Sequence, residues 1–134
     1  MKKSDNNVVS LFEQTNQGVQ KAVLTDSMKM KRGGSLSNPI VAYETWGKLS
    51  KQKDNVVVIL TGLSASSHVA SHSNNSKPGW WEGIVGPDKA IDTNKFYVIC
   101  VNSLGSCFGS TGPASINQIT GEPFRLTFPE LTID

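Results

Sequence analysis

The sequence predicts an α/β fold built on a mostly parallel sheet that this chain leaves incomplete. Three observations predict it. Val56-Val57-Val58-Ile59-Leu60 and Phe96-Tyr97-Val98-Ile99-Cys100-Val101 are continuous apolar runs rich in β-branched residues. They lack the alternation of a half-solvated strand, which is how strands buried on both faces of a parallel sheet read. A long polar stretch separates them, enough for the crossover that parallel neighbours require and that chirality makes right-handed. No segment has the pattern of a substantial helix, although a parallel sheet needs cover on both faces. Further strands and helices are therefore expected outside these residues.

In chain order, residues 1–18 are polar and weakly patterned, with Val8, Val9, Leu11 and Phe12 as their apolar cluster, and read as an N-terminal arm. Residues 19–134 read as the domain. Val19 to Met30 alternates in part, Gly33-Gly34 makes a turn, and Pro39 to Trp46 follows, predicting two antiparallel strands with Ile40, Ala42 and Glu44 on one face. Lys48 to Asn55 is a polar connection into the first apolar run. Leu63 to Ser76 is a serine-rich loop containing His68 and His72. The pairs Trp80/Ile84 and Trp81/Val85 have helical spacing, but Gly79 and Gly83 limit the segment to a brief helix at most. Asp92-Thr93-Asn94 turns the chain into the second run. From Leu104 to Asp134 there is no periodicity, and loops that long are functional, disordered or interrupted.

Composition narrows the function classes. The 134 residues suit one domain, and 37% hydrophobic content suits a packed core. A net charge of +2, from 13 basic and 11 acidic residues spread along the chain, gives no footprint for nucleic acid or an acidic partner. Lys29, Lys31 and Arg32 read as a solvated patch. Cys100 and Cys107 read as free thiols of a reducing cytoplasm. The N-terminus starts basic without reaching an apolar core, and no run is long enough to span a membrane, so a cytoplasmic, soluble protein is expected.

Cys107 lies in Gly105-Ser106-Cys107-Phe108-Gly109 directly after a strand, the outline of a nucleophile elbow. An elbow needs a helix to start at once, and Gly109, Gly112 and Pro113 forbid one, so Cys107 reads as a structural loop cysteine. Gly62-Leu63-Ser64-Ala65-Ser66 is a second half-match that fails for the same reason. That turn suits another role: where a buried strand ends tightly, free backbone N–H groups can hold the oxyanion of a tetrahedral intermediate. Leu63 is thus either an oxyanion-hole donor through its amide or simply the last apolar residue of a strand. His68 and His72 have the spacing of a helical ligand pair, but Val69 stands where a zincin has Glu and no third ligand stands out, so no metal is expected. Ser110 and Thr111 could bind a polar substrate group, although hydroxyls in glycine turns usually bond local backbone.

Val41-Ala42-Tyr43-Glu44-Thr45-Trp46-Gly47, Lys77-Pro78-Gly79-Trp80-Trp81, Ile91-Asp92-Thr93, Gly112-Pro113-Ala114-Ser115-Ile116-Asn117, Thr120-Gly121-Glu122-Pro123 and Phe128-Pro129 together resemble the homoserine O-acetyltransferase family. The resemblance runs from about Gly33 to the last residue and implies the N-terminal part of an α/β-hydrolase fold. It implies acyl transfer from acyl-coenzyme A to the homoserine hydroxyl through an acyl-serine, in methionine synthesis, with no cofactor beyond the acyl-CoA co-substrate and with a homodimer for the full-length enzyme. It places the Leu63 amide at the family's oxyanion donor and Ser64 and Ala65 beside the substrate. Many members read His-Ala-Leu-Thr-Gly where this chain has Thr61-Gly62-Leu63-Ser64-Ala65. Serine as acceptor or succinyl as donor therefore stay open. The family's Gly-x-Ser-x-Gly elbow, aspartate and histidine lie beyond Asp134, so the chain is expected to be inactive alone. The alternatives are a non-catalytic half that assembles with a separate C-terminal chain, and a truncated product that misfolds.

Overall fold

A computed structural model of the chain describes residues 18–24, 27–62 and 64–132. The expected arm lies outside them but for Gly18. Among the described residues eight strands and one 3-10 turn follow one another: β1 (Gln20–Val23), β2 (Met28–Lys29), β3 (Ser35–Leu36), β4 (Ile40–Trp46), β5 (Val56–Leu60), β6 (Val85–Gly86), β7 (Ile91–Asp92), β8 (Tyr97–Val101) and η1 (Arg125–Thr127).

The main sheet has the order β1-β4-β8-β5. β1 and β4 are antiparallel, as are β4 and β8, whereas β5 and β8 are parallel with Val57 opposite Val98 and Ile59 opposite Cys100. The two continuous apolar runs are thus parallel neighbours, as the sequence predicts. The expected Val19–Met30 strand is split: β1 joins the main sheet, and β2 pairs with β3 in a small hairpin closed through Gly33 and Gly34.

The core occupies one face of the sheet. Trp46, Ile59, Val98 and Cys100 point to it and pack against Val69, Ala70 and Val85 from the β5–β8 connection. Trp46 Nε1 donates to the Ala70 carbonyl at 3.1 Å, which satisfies the indole where it is buried. Among the described residues β5 is covered on one face only, and its other face is where the sequence expects further elements. Val56, Val58 and Leu60 are 40%, 58% and 79% exposed, because the connection folds over one face only and β5 lies at the sheet edge. The predicted alternation of Ile40, Ala42 and Glu44 holds, with Ala42, Glu44 and Trp46 all buried.

No helix forms at Trp80–Val85. The segment makes a single turn closed by Val85 N–H to the Trp81 carbonyl at 3.1 Å, then enters β6. Gly79 is needed at its start, since a Cβ there would lie 2.1 Å from the Val69 carbonyl carbon and 2.2 Å from the Ala70 nitrogen. Glu82 then ties the turn back to the loop. Its carboxylate accepts from Gly79 N–H at 2.9 Å, Ser71 N–H at 2.7 Å and Ser71 Oγ at 2.8 Å. These bonds hold its carboxyl down to about 2.

The aperiodic C-terminal stretch is ordered by local bonds. Ile116 bridges Pro123, Phe124 N–H donates to Ser115 at 3.0 Å, and the rings of Phe124 and Phe128 meet edge to face at 5.5 Å. Arg32 pairs with Glu130, joining the basic patch to this segment.

Candidate functional site

The candidate site lies where β5 and β8 end side by side. Leu63, the predicted oxyanion donor, lies outside the described residues. Its neighbours are placed. Gly62 and Ser64 are exposed and Ala65 is half-buried, and a Cβ on Gly62 would meet no heavy atom within 4 Å. Gly62 and Ser64, on either side of Leu63 in the chain, are thus open to solvent.

The remainder of the loop is fixed by a buried polar cluster. Ser67, fully buried, donates its N–H to Asn102 Oδ1 at 2.7 Å and its hydroxyl to Glu44 Oε1 at 2.9 Å. Asn102, just past β8, returns a bond from Nδ2 to Ser67 Oγ at 3.0 Å and another to the Phe108 carbonyl at 3.0 Å. Three separate stretches, β4 through Glu44, the loop after β5 and the loop after β8, are locked together at one point. Among the described residues no buried side-chain polar atom lacks a partner, so the cluster is fixed in one arrangement.

Glu44 is the hub. It is 1% exposed, and its second oxygen, Oε2, lies 2.8 Å from His68 Nδ1 and 2.9 Å from His72 Nε2. His68 Nε2 donates to the Lys77 carbonyl at 2.8 Å, and Asn75 Nδ2 also lies 3.4 Å from His68 Nδ1. His72 Nδ1 instead accepts a long bond from Asn74 N–H at 3.3 Å, which places the hydrogen of that ring on Nε2. The two histidines thus stand together, as their spacing suggested, but on a loop rather than a helix. The sequence offers no third candidate beside them; the structure brings the Glu44 carboxylate to both rings from 24 and 28 residues away.

The glycine-rich loop Asn102–Pro113 is scaffold. Ser110 Oγ accepts from Ala42 N–H at 2.9 Å and donates to the Asn102 carbonyl at 2.6 Å, while Thr111 Oγ1 accepts from Ile40 N–H at 2.7 Å and Thr111 N–H donates to the Ile40 carbonyl at 2.8 Å. The two hydroxyls complete the ladder of β4 at the end that β8 does not reach, bonding backbone far along the chain rather than the local backbone expected of them. Cys107 is exposed and Cys100 buried, both as free thiols. Burial, with the nearby Glu44 charge second, pushes the Cys100 thiol up to about 12, so it is no nucleophile.

No family model matches the chain. Curated relatives do. It is 56% identical over 117 residues to a serine O-succinyltransferase of Xanthomonas campestris pv. campestris, covering 87% of this chain and 31% of that protein. It is 61% identical over 112 residues to the serine O-succinyltransferase of Frateuria aurantia, covering 83% and 30%, and 57% identical over 111 residues to an L-serine/homoserine O-acetyltransferase of Streptomyces lavendulae, again covering 83% and 30%. Among solved structures, homoserine O-acetyltransferase from Bacillus anthracis superposes with a TM-score of 0.74 at 35% identity, over 85% of this chain and 32% of that one. A crystallised esterase superposes with a TM-score of 0.72 at 40% identity. The chain spans about a third of the length of the relatives it matches, at their N-terminal side.

Proposed function

From the premise that this chain belongs with the serine and homoserine O-acyltransferases of the α/β-hydrolase fold and matches their N-terminal third, we propose that it supplies the scaffold and oxyanion turn of an enzyme moving an acyl group from acyl-coenzyme A to the hydroxyl of serine or homoserine. The observation that carries this reading is the turn at Gly62 to Ser67. It opens to solvent at Gly62 and Ser64, yet is anchored a few residues on by Ser67 to Glu44 and Asn102. A backbone donor stabilises a developing oxyanion only if it is already in position, so a turn that is open at its tip and fixed at its base is what the chemistry needs.

In this reading the Leu63 amide is a donor to the oxyanion, and Ser64 and Ala65 border the acceptor. The serine nucleophile, acid and base are supplied from outside these 134 residues. The serine O-succinyltransferases among the relatives make succinyl-CoA and L-serine the first pair to assay, with acetyl-CoA and homoserine beside them.

The test is coenzyme A release with each donor and acceptor, for the chain alone and for the chain joined to the downstream coding sequence. Release by the joined protein alone, dependent on an acceptor amino acid, supports the reading. Release by the isolated 134 residues that is lost in Cys107→Ala would overturn it in favour of a cysteine enzyme. Acceptor-independent hydrolysis by the joined protein would instead favour an esterase.

A second reading, assembly with a separately encoded C-terminal half, has one observation in its favour: β5 is an edge strand with three exposed apolar side chains. Co-expression with the neighbouring reading frame, followed by size-exclusion chromatography, decides it, and absence of a complex rules it out.

A further inference from the structure

We propose that Glu44, His68 and His72 form a binding site for a divalent cation of the zinc type. Glu44 Oε2, His68 Nδ1 and His72 Nε2 lie within 4.8 Å of one another, and two imidazoles with one carboxylate are a donor set that zinc takes, with the fourth position left to water.

The surroundings favour this set in two ways. The atoms opposite two of the ligating atoms already have the partners that orient metal ligands: His68 Nε2 donates to the Lys77 carbonyl, and Glu44 Oε1 accepts from Ser67 Oγ. Access is also available, because the His68 and His72 side chains are 14% and 13% exposed, and His72 lines a cavity of about 440 Å³ shared with Trp46, Gln20 and Asn74.

Two adjustments are required. Zinc bonds of about 2.0–2.1 Å put tetrahedral ligand atoms roughly 3.4 Å apart, so the 2.8 and 2.9 Å separations from Glu44 Oε2 must open by about half an ångström, while the two imidazole nitrogens, within 4.8 Å of each other, settle to the same spacing. His68 Nδ1 must present its lone pair to the ion in place of the contacts with Glu44 and Asn75, and the hydrogen of His72 moves from Nε2 to Nδ1, which gives up the 3.3 Å bond from Asn74. The competing arrangement is the hydrogen-bonded cluster without an ion.

The site shares Glu44 and its partner Ser67 with the anchor of the turn described above, although no step of acyl transfer passes through the ion. Its role would be to clamp the loop of residues 67–77 onto β4.

The test uses the full 134-residue chain, stripped with chelator, checked for folding by circular dichroism and then titrated with Zn²⁺ or Co²⁺. The expected result is one Zn²⁺ retained per chain through gel filtration, tetrahedral absorption bands with Co²⁺, affinity lowered at least about 100-fold in His72→Ala and Glu44→Gln, and about 10-fold in Ser67→Ala. His72→Cys, which keeps a ligand, should bind Co²⁺ with an added thiolate charge-transfer band, so the site can be located even if the alanine variant unfolds. A folded wild-type chain that retains only substoichiometric zinc would overturn the proposal, as would zinc binding untouched by His72→Ala with no thiolate band in His72→Cys.

Discussion

Replacing Asn102 by alanine tests whether the buried cluster holds the two loops together. The Asn102 side chain accepts from Ser67 N–H at 2.7 Å and donates to Ser67 Oγ and to the Phe108 carbonyl, both at 3.0 Å. The losses are unequal. Ser67 is fully buried, and Asn102 is the partner of its N–H, so that donor is orphaned at a cost of about 1–3 kcal/mol. The Phe108 carbonyl is only part-buried and recruits water, which limits its loss to about 0.5–1 kcal/mol. Ser67 Oγ keeps its bond to Glu44 and adds little. With the small cavity left behind, the sum is about 3 kcal/mol, or a Tm lower by roughly 10 °C for a domain of this size. Urea and thermal unfolding followed by circular dichroism measure it. Amide hydrogen exchange at Ser67 should accelerate more than exchange in β4 or β8. A Tm within about 2 °C of wild type, or uniform acceleration, would show that the loops are held by other contacts.

Three further outcomes are expected. Gly79→Ala should prevent native folding, because its Cβ would sit 2.1–2.3 Å from the backbone of Val69 and Ala70, whereas Gly62→Ala, with open space at its Cβ, should change stability by less than about 0.5 kcal/mol; paired urea titrations compare them. The Glu82 carboxyl titrates at about 2 in the folded chain against about 4.3 unfolded, so its stabilisation is complete above pH 5 and disappears as pH falls from about 5 towards 2. Discounted for its solvent exposure, the effect is about 1 kcal/mol, and Glu82→Gln should flatten that part of the stability–pH curve. Iodoacetamide at pH 8 should modify Cys107 and spare Cys100 until the chain is unfolded in denaturant, since Cys107 is exposed and Cys100 is buried with its thiol pushed up to about 12; intact mass before and after denaturation counts the labels.

Much of the sheet was legible in the chain. Val56–Leu60 and Phe96–Val101 announced themselves by continuous β-branched character, and the period of two from Ile40 to Trp46 placed Glu44 on the inner face. At Trp80–Val85 the i, i+4 spacing allowed a brief helix at most, limited by Gly79 and Gly83. Gly79 pressed against Val69 and Ala70, and Glu82 bound back to Ser71, hold that stretch as one turn instead. The covered face of β5 was not legible either, because an apolar run is the same whether one or both sides find a neighbour.

The local pattern of side chains therefore determined which segments are strands, which glycines make turns, and, through motifs spread along the chain, which family it resembles. Tertiary structure alone decided what those segments do for one another. Ser110 and Thr111 complete β4 from 68 and 71 residues away, and Glu44 gathers Ser67, His68 and His72 from the loop after β5. Propensity and periodicity act over a few residues, whereas a buried carboxylate takes whichever donors the fold brings to it, and that choice exists only once the strands have paired.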